Sequence, residues 1–215
     1  MAKQAPSLTK KKLAAHCNAE LSARGNLILD AAQKLFFQQG FDETSLAMII
    51  NEAGGSRRSI YHEFGNKQGL LLAVIQRQVN IQTQTLTAIN KQLKPQEALN
   101  DVCYQFVKGM LSSNIQSLFR LVVQQAVKLP ELGKIIYQCG PQAGVQPLAD
   151  YLESLVNQKL LKIDDCHFAA QMLLEMSKGP LHTKALLMPM EVITDEVIKQ
   201  QVSKAVGIFF NAHQV

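Results

Sequence analysis

The run Arg57-Arg58-Ser59-Ile60-Tyr61-His62-Glu63-Phe64 gathers the side chains best suited to recognising an anion in this 215-residue chain. Arg57 and Arg58 stand at the first two positions of a helix that Ser56 would cap. Lys67 follows Asn66, the expected cap of the next helix. A cation in a first helical turn opposes the macrodipole, at a cost of about 0.3–1 kcal/mol. Neither of these two first turns contains an acid. An external anion resolves the conflict, because helix N-termini and basic side chains both bind phosphate. A solvated, salt-screened surface is the other reading of the same charges.

The elements that would position these residues are legible on either side. Leu46, Ile49, Ile50 and Ala53 fall at i, i+3, i+4 and i+7, one face of a helix of about two turns. Gly54 and Gly55 stop it, since a left-handed turn is inexpensive only for glycine. A short helix, a glycine turn and a second short helix make a helix-turn-helix. Upstream, Leu27, Ile28, Ala31, Leu35 and Phe36 have helical spacing between Ser22 and Gln39. Gly40 ends that helix and Phe41 folds back onto the small core. Arg24, near its start, is placed to meet a phosphate or to pair with an acid.

From Arg24 to Leu71 the chain resembles the DNA-binding domain of the TetR family of bacterial transcriptional regulators. The resemblance rests on Arg24, Ile28, Ala31, Ala32, Leu35, Phe36, Gly40 and Phe41 in the first helix and its exit. It continues through Thr44, Ser45, Ile49, Ala53, Gly54 and Ser56 to Ile60, Tyr61, Phe64, Lys67 and Leu70. Gly55 departs from the pattern, because the family usually has an apolar residue there that packs inside the turn. Its loss is expected to loosen the turn. The resemblance implies that the helix from Arg57 to Phe64 enters a major groove. Arg57, Arg58, Ser59 and His62 would then contact bases, and arginine can bind guanine with two hydrogen bonds. The matching positions imply phosphate contacts for Thr44, Ser45, Tyr61 and Lys67.

The charge distribution agrees with a polyanionic partner. Of the net charge of +5, residues 1–80 contribute +4 from ten Lys/Arg and six Asp/Glu. Lys10, Lys11 and Lys12 form either a basic arm or a solvated tail. The N-terminus lacks the apolar stretch of a secretory signal, and no apolar run is long enough to span a membrane. Cys17, Cys103, Cys139 and Cys166 are widely separated, which fits a reducing cytoplasm and argues against a zinc site.

The expected fold is all-α. Residues 1–20 would be a basic arm, 21–68 a three-helix DNA-binding domain, and 69–215 a larger helical domain for ligand binding and dimerisation. A helix of nearly thirty residues, from Asn66 to Lys94, would link the two domains, with Leu70, Leu71, Val74, Ile75, Ile81, Leu86, Ile89 and Leu93 on its buried side. Beyond Pro95 the pattern stays helical to the end, with the last two helices near 165–187 and 191–212. The phrases FRLVVQQAVKLPELGKIIYQCGP and AAQMLLEMSKGPL resemble the C-terminal domain of the AefR-like branch of the same family.

Phe106, Met110, Phe119, Phe168, Met172 and Met176 suit either a packed core or a cavity for an apolar ligand, since Met and Phe adapt to such surfaces. The family resemblance implies ligand control. The last two helices carry more apolar residues than one face can bury, which predicts a homodimer built as a four-helix bundle. No motif for catalysis appears, and none calls for a cofactor or metal. Cys166 and His167 are adjacent on a helix and point apart. The leading expectation is a homodimeric repressor that binds a palindromic operator and is released by a small apolar molecule. Two alternatives stand beside it. One is an all-helical carrier or enzyme with a vestigial DNA-binding domain. The other is a regulator that senses redox state through Cys103, Cys139 or Cys166.

Overall fold

The computed structural model describes residues 21–138 and 144–215. The Lys10–Lys12 run, Cys17 and Cys139 lie outside them. Among the described residues there are ten α-helices, and the only β-type pairing is one antiparallel bridge between Leu161 and Gln214. The helices are α1 (Ala23–Gln39), α2 (Leu46–Ala53), α3 (Arg57–Phe64), α4 (Lys67–Thr87) and α5 (Pro95–Met110). They continue as α6 (Ser113–Ala126), α7 (Pro130–Tyr137), α8 (Gln146–Asn157), α9 (Cys166–Leu187) and α10 (Asp195–His213). None is long and apolar enough to cross a membrane.

Two compact units share the chain. Of the described residues, one holds 21–77 together with Leu121–Ile136, and the other holds Gln78–Arg120 and those from Tyr137 to Val215. Both α4 and α6 therefore begin in one unit and end in the other.

The first unit is built on α1. Ile28, Ala31, Ala32 and Phe36 on one face are buried, as are Ile49 of α2, Ile60 and Phe64 of α3, and Leu70, Leu71 and Val74 of α4. Phe41 does fold back, its ring centroid 5.4 Å from that of Phe36. Leu27, assigned above to the apolar face, is half exposed, and Leu29 is buried in its stead. Full burial of a large apolar side chain contributes about 1.5–3 kcal/mol. That exceeds the few tenths to one kcal/mol at stake in each first-turn cation. Packing of Ile60 and Phe64, rather than charge, thus decides that α3 forms.

The second unit packs α10 against α5 and α9, and α9 also against α8 and α5. Leu99, Val102, Val107, Leu148, Leu152, Leu173, Val202 and Phe209 are among its buried core. Within α9 the chain kinks at Gly179–Pro180. Proline has no N–H, so the Met176 carbonyl loses its helical donor. Gln201 of α10 replaces it, its Nε2 donating to Met176 O at 2.9 Å.

The helix expected to reach Lys94 ends at Thr87. Asn90 accepts from Gln92 N at 3.0 Å through its side chain and from Leu93 N at 3.3 Å through its carbonyl, closing a turn. Pro95 then holds Lys94 extended. Ile81 and Leu93, expected on the buried side, are exposed.

Candidate nucleic-acid interface

Three serine-type caps set the start of the helices around the glycine turn. Ser22 accepts from Gly25 N at 2.9 Å, Ser45 from Met48 N at 3.2 Å and Ser56 from Ser59 N at 3.4 Å. Asn66 caps α4 in the same way, accepting from Gly69 N at 2.9 Å. Gly54 and Gly55 carry the turn at φ of 72° and 107°. Only glycine visits this region without strain. Arg24 spans the turn beside Gly55 and donates to the Ala53 carbonyl at 3.1 Å. This contact ties Arg24 to the C-terminal end of α2 while its side chain stays exposed.

The helix α3 is held from three directions. Ile60 and Phe64 are buried beneath it. Glu63 accepts a hydrogen bond from the Ser22 hydroxyl, which places a carboxylate at the positive end of α1. At its exit the Phe64 carbonyl lies so close to Gly69 that a Cβ there would sit 1.9 Å from the oxygen. The remaining face carries Arg57, Arg58, Tyr61 and His62, all exposed, with Tyr61 at 55%. Neither arginine has an acidic partner among the described residues. Ser59, partly exposed, lies 3.3 Å from the Ser56 hydroxyl.

The residues assigned to phosphates separate. Ser45 and Tyr61 are exposed, as such contacts require. Thr44 is 1% exposed, and its hydroxyl donates to the Gly40 carbonyl at 2.7 Å while accepting from Gln39. That side chain braces the α1–α2 turn rather than facing outward. Lys67 is half-buried, its Nζ 4.4 Å from the Phe41 ring centroid and 3.3 Å from the Asp42 carbonyl. Burial pulls its ammonium below the ordinary lysine range, and Asp42 and Glu43 pull it back up. Asp42 in turn accepts from Lys128 at 2.5 Å and from Gln125 at 3.3 Å, and these hydrogen bonds hold its carboxyl below the usual range. Arg77 pairs with Asp30 at 2.5 Å and Gln33 at 2.6 Å, tying α4 to α1.

The six residues expected to line one cavity divide into two groups. Phe106 and Met110 on α5 are half-buried, and Phe119 stands edge-on to His182 with ring centroids 4.8 Å apart. Phe168, Met172 and Met176 lie outside the core at i, i+4 and i+8 along α9, 58%, 36% and 36% exposed. Helical spacing is identical for a stripe that faces a cavity and one that faces solvent, which is why sequence merged them. None of the six is fully buried, and Phe119, at 38%, is as open as Met172 and Met176 but is set apart from them by its contact with His182. Buried beside it are Gln116 and His182, which were not singled out from sequence. Gln116 is one of several polar residues on α6, so nothing in the sequence marked it; a buried polar atom left unpaired costs about 1–3 kcal/mol.

The thiols are unsuited to ready oxidation where they are described. Cys103 is fully buried and its thiol is pushed up to about 12 by that burial, with the Ser177 hydroxyl opposing. Burial, Glu153 and Asp165 raise Cys166 as well. Both are held as protonated thiols, whereas the reactive form is the thiolate.

Residues 28–74 match the family described as bacterial regulatory proteins, tetR family, and residues 97–215 match the AefR-like transcriptional repressor C-terminal domain. Over 52 residues, 24% of this chain, the sequence is 44% identical to the HTH-type transcriptional repressor ComR of Escherichia coli (strain K12). That stretch spans 25% of the length of ComR. Among solved structures, a TetR-family regulator from Mesorhizobium loti MAFF303099 superimposes with a TM-score of 0.81 at 21% identity, over 95% of this chain and 99% of that one. The flavonoid-responsive regulator FrrA gives 0.76 at 26% identity, over 89% and 97%. With an acid-free basic face on a helix-turn-helix, and with family matches on both halves, the chain belongs to the TetR family of DNA-binding transcriptional regulators and carries an AefR-like C-terminal domain.

Proposed function

We propose that this protein is a homodimeric repressor that releases a palindromic operator when a small, largely apolar molecule binds its second unit. The observation that carries the reading is the outer face of α3, where Arg57, Arg58, Tyr61 and His62 stand exposed and free of acids on a helix anchored by Ile60, Phe64 and Glu63. Arg57, Arg58, Ser59 and His62 are assigned to base edges, and Ser45, Tyr61 and Lys67 to phosphates. The apolar stripe Phe168, Met172 and Met176 on α9, with Val197 and Ile208 exposed on α10, supports a dimer through the last two helices. The flavonoid response named for FrrA supports a ligand of aromatic type. Ligand binding would act on DNA through α4 and α6, the helices shared by both units.

The test is selection of duplexes from a random pool by the full-length protein, followed by sequencing. The expected outcome is a palindrome whose half-sites lie about 34 Å apart, one helical turn, or a multiple of it. A pool that stays random through repeated selection overturns the proposal.

A further inference from the structure

Among the described residues, three buried side-chain atoms of the second unit lack a hydrogen-bond partner: Gln116 Oε1, Ser177 Oγ and His182 Nε2. The Ser177 hydroxyl faces the Cys103 thiol, which accounts for it. The other two belong together. Gln116 and Phe119 are one turn apart on α6, so their side chains share a face. The Phe119 ring stands edge-on to that of His182, 4.8 Å away. Gln116 is 4% and His182 6% exposed, whereas Phe119 beside them is 38% exposed.

The free atoms state what would complete them. Gln116 already donates through Nε2 to the Met110 carbonyl at 2.7 Å. Its Oε1 can only accept, so the missing partner is an O–H or N–H donor. Burial first, then Lys178, keep the His182 imidazole neutral against the pull of Glu175. A neutral imidazole offers one donor and one acceptor, so Nε2 can meet a hydroxyl in either sense. Lys178 is itself paired with Glu175 at 2.8 Å, so its charge is compensated. Beside these groups Phe119 supplies an aromatic ring, a surface that favours another ring.

We propose that Gln116 and His182 are the polar end of a site for a neutral hydroxylated aromatic molecule, with Gln116 Oε1 accepting its O–H and His182 Nε2 bonding to the hydroxyl oxygen or to a second hydroxyl. This deepens the ligand-responsive reading above and rests on it.

The experiment is calorimetric titration of the full-length protein with 4-phenylphenol and with 4-methylbiphenyl, which has the same shape and no hydroxyl. The phenol is expected to bind at least about tenfold more tightly. In Gln116→Leu and His182→Leu the ratio is expected to fall below about threefold. In wild-type protein labelled with nitrogen-15 at histidine, bound 4-phenylphenol is expected to shift the His182 Nε2 resonance, which needs no variant to fold. Equal affinity for the two probes, or a bound phenol that leaves this resonance in place, overturns the site while the ligand-responsive reading stands. Failure of both probes to bind overturns the site, and failure of a wider aromatic panel to bind or to move operator affinity overturns the ligand reading as well.

Discussion

At the scale of single residues, the basic side chains divide by how freely they can reach DNA. Arg57 and Arg58 are exposed and have no acidic partner among the described residues, so changing either to Ala should cost about 1–3 kcal/mol on the selected operator and relax preference at one base position. Unchanged affinity together with an unchanged selected sequence in both variants would remove them from base recognition. Lys67 is fixed over Phe41, with its charge partly buried. Lys67→Ala should lower the slope of log affinity against log salt by about one unit, on every duplex alike. A variant that loses thermal stability yet keeps the wild-type slope would make Lys67 a structural residue. His182 gives a prediction about pH. Its folded-state value lies below the ordinary 6.5, so the unfolded chain takes up a proton that the folded chain resists. Its share of stability is complete above the ordinary 6.5 and is lost as pH falls from there to the folded-state value, by at most about 1.4 kcal/mol per pH unit. Urea melts near pH 7.5 and about pH 5.5 should show a larger acid loss in wild type than in His182→Gln. Equal losses would contradict the buried neutral imidazole.

At the scale of elements, the junction of α3 with α4 is the most constrained joint around the reader helix. Any side chain at position 69 meets the Phe64 carbonyl, which belongs to the backbone and cannot rotate away. Gly69→Ala should therefore destabilise the protein by about 1–3 kcal/mol and weaken operator binding further by tilting α3. An unchanged denaturation midpoint and unchanged affinity would show that the joint yields. This joint was hidden in the sequence, where Gly69 reads as an ordinary interruption of a helix. The helix-turn-helix itself was legible because its signals are local: Ser45 and Ser56 cap, Gly54 and Gly55 turn, and Ile49 and Ile60 keep helical register. Thr44 misled because its partner, the Gly40 carbonyl, is brought to it only by the folded turn. The overrun of α4 has a similar origin. Ile89 and Leu93 continue the apolar spacing, while the Asn90 turn that ends the helix depends on one side chain.

At the scale of the whole molecule, the exposed stripe of α9 and the ligand set of the second unit carry separate claims. Met172→Glu combined with Met176→Glu places two charges on the proposed dimer face. Light scattering at micromolar concentration should then report a monomer with native helix content, and operator affinity should fall because two half-sites are no longer linked. A dimer of wild-type stability would move the interface elsewhere. The central claim is that ligand and DNA compete through conformation, which requires the ligand to bind the DNA-incompetent state more tightly. The most direct measurement is titration of the selected operator with full-length protein, with and without a saturating compound that calorimetry has shown to bind. A coupling of about 1–3 kcal/mol predicts that the ligand weakens operator affinity by roughly 5–150-fold. An operator affinity that stays the same with every bound compound would contradict the account.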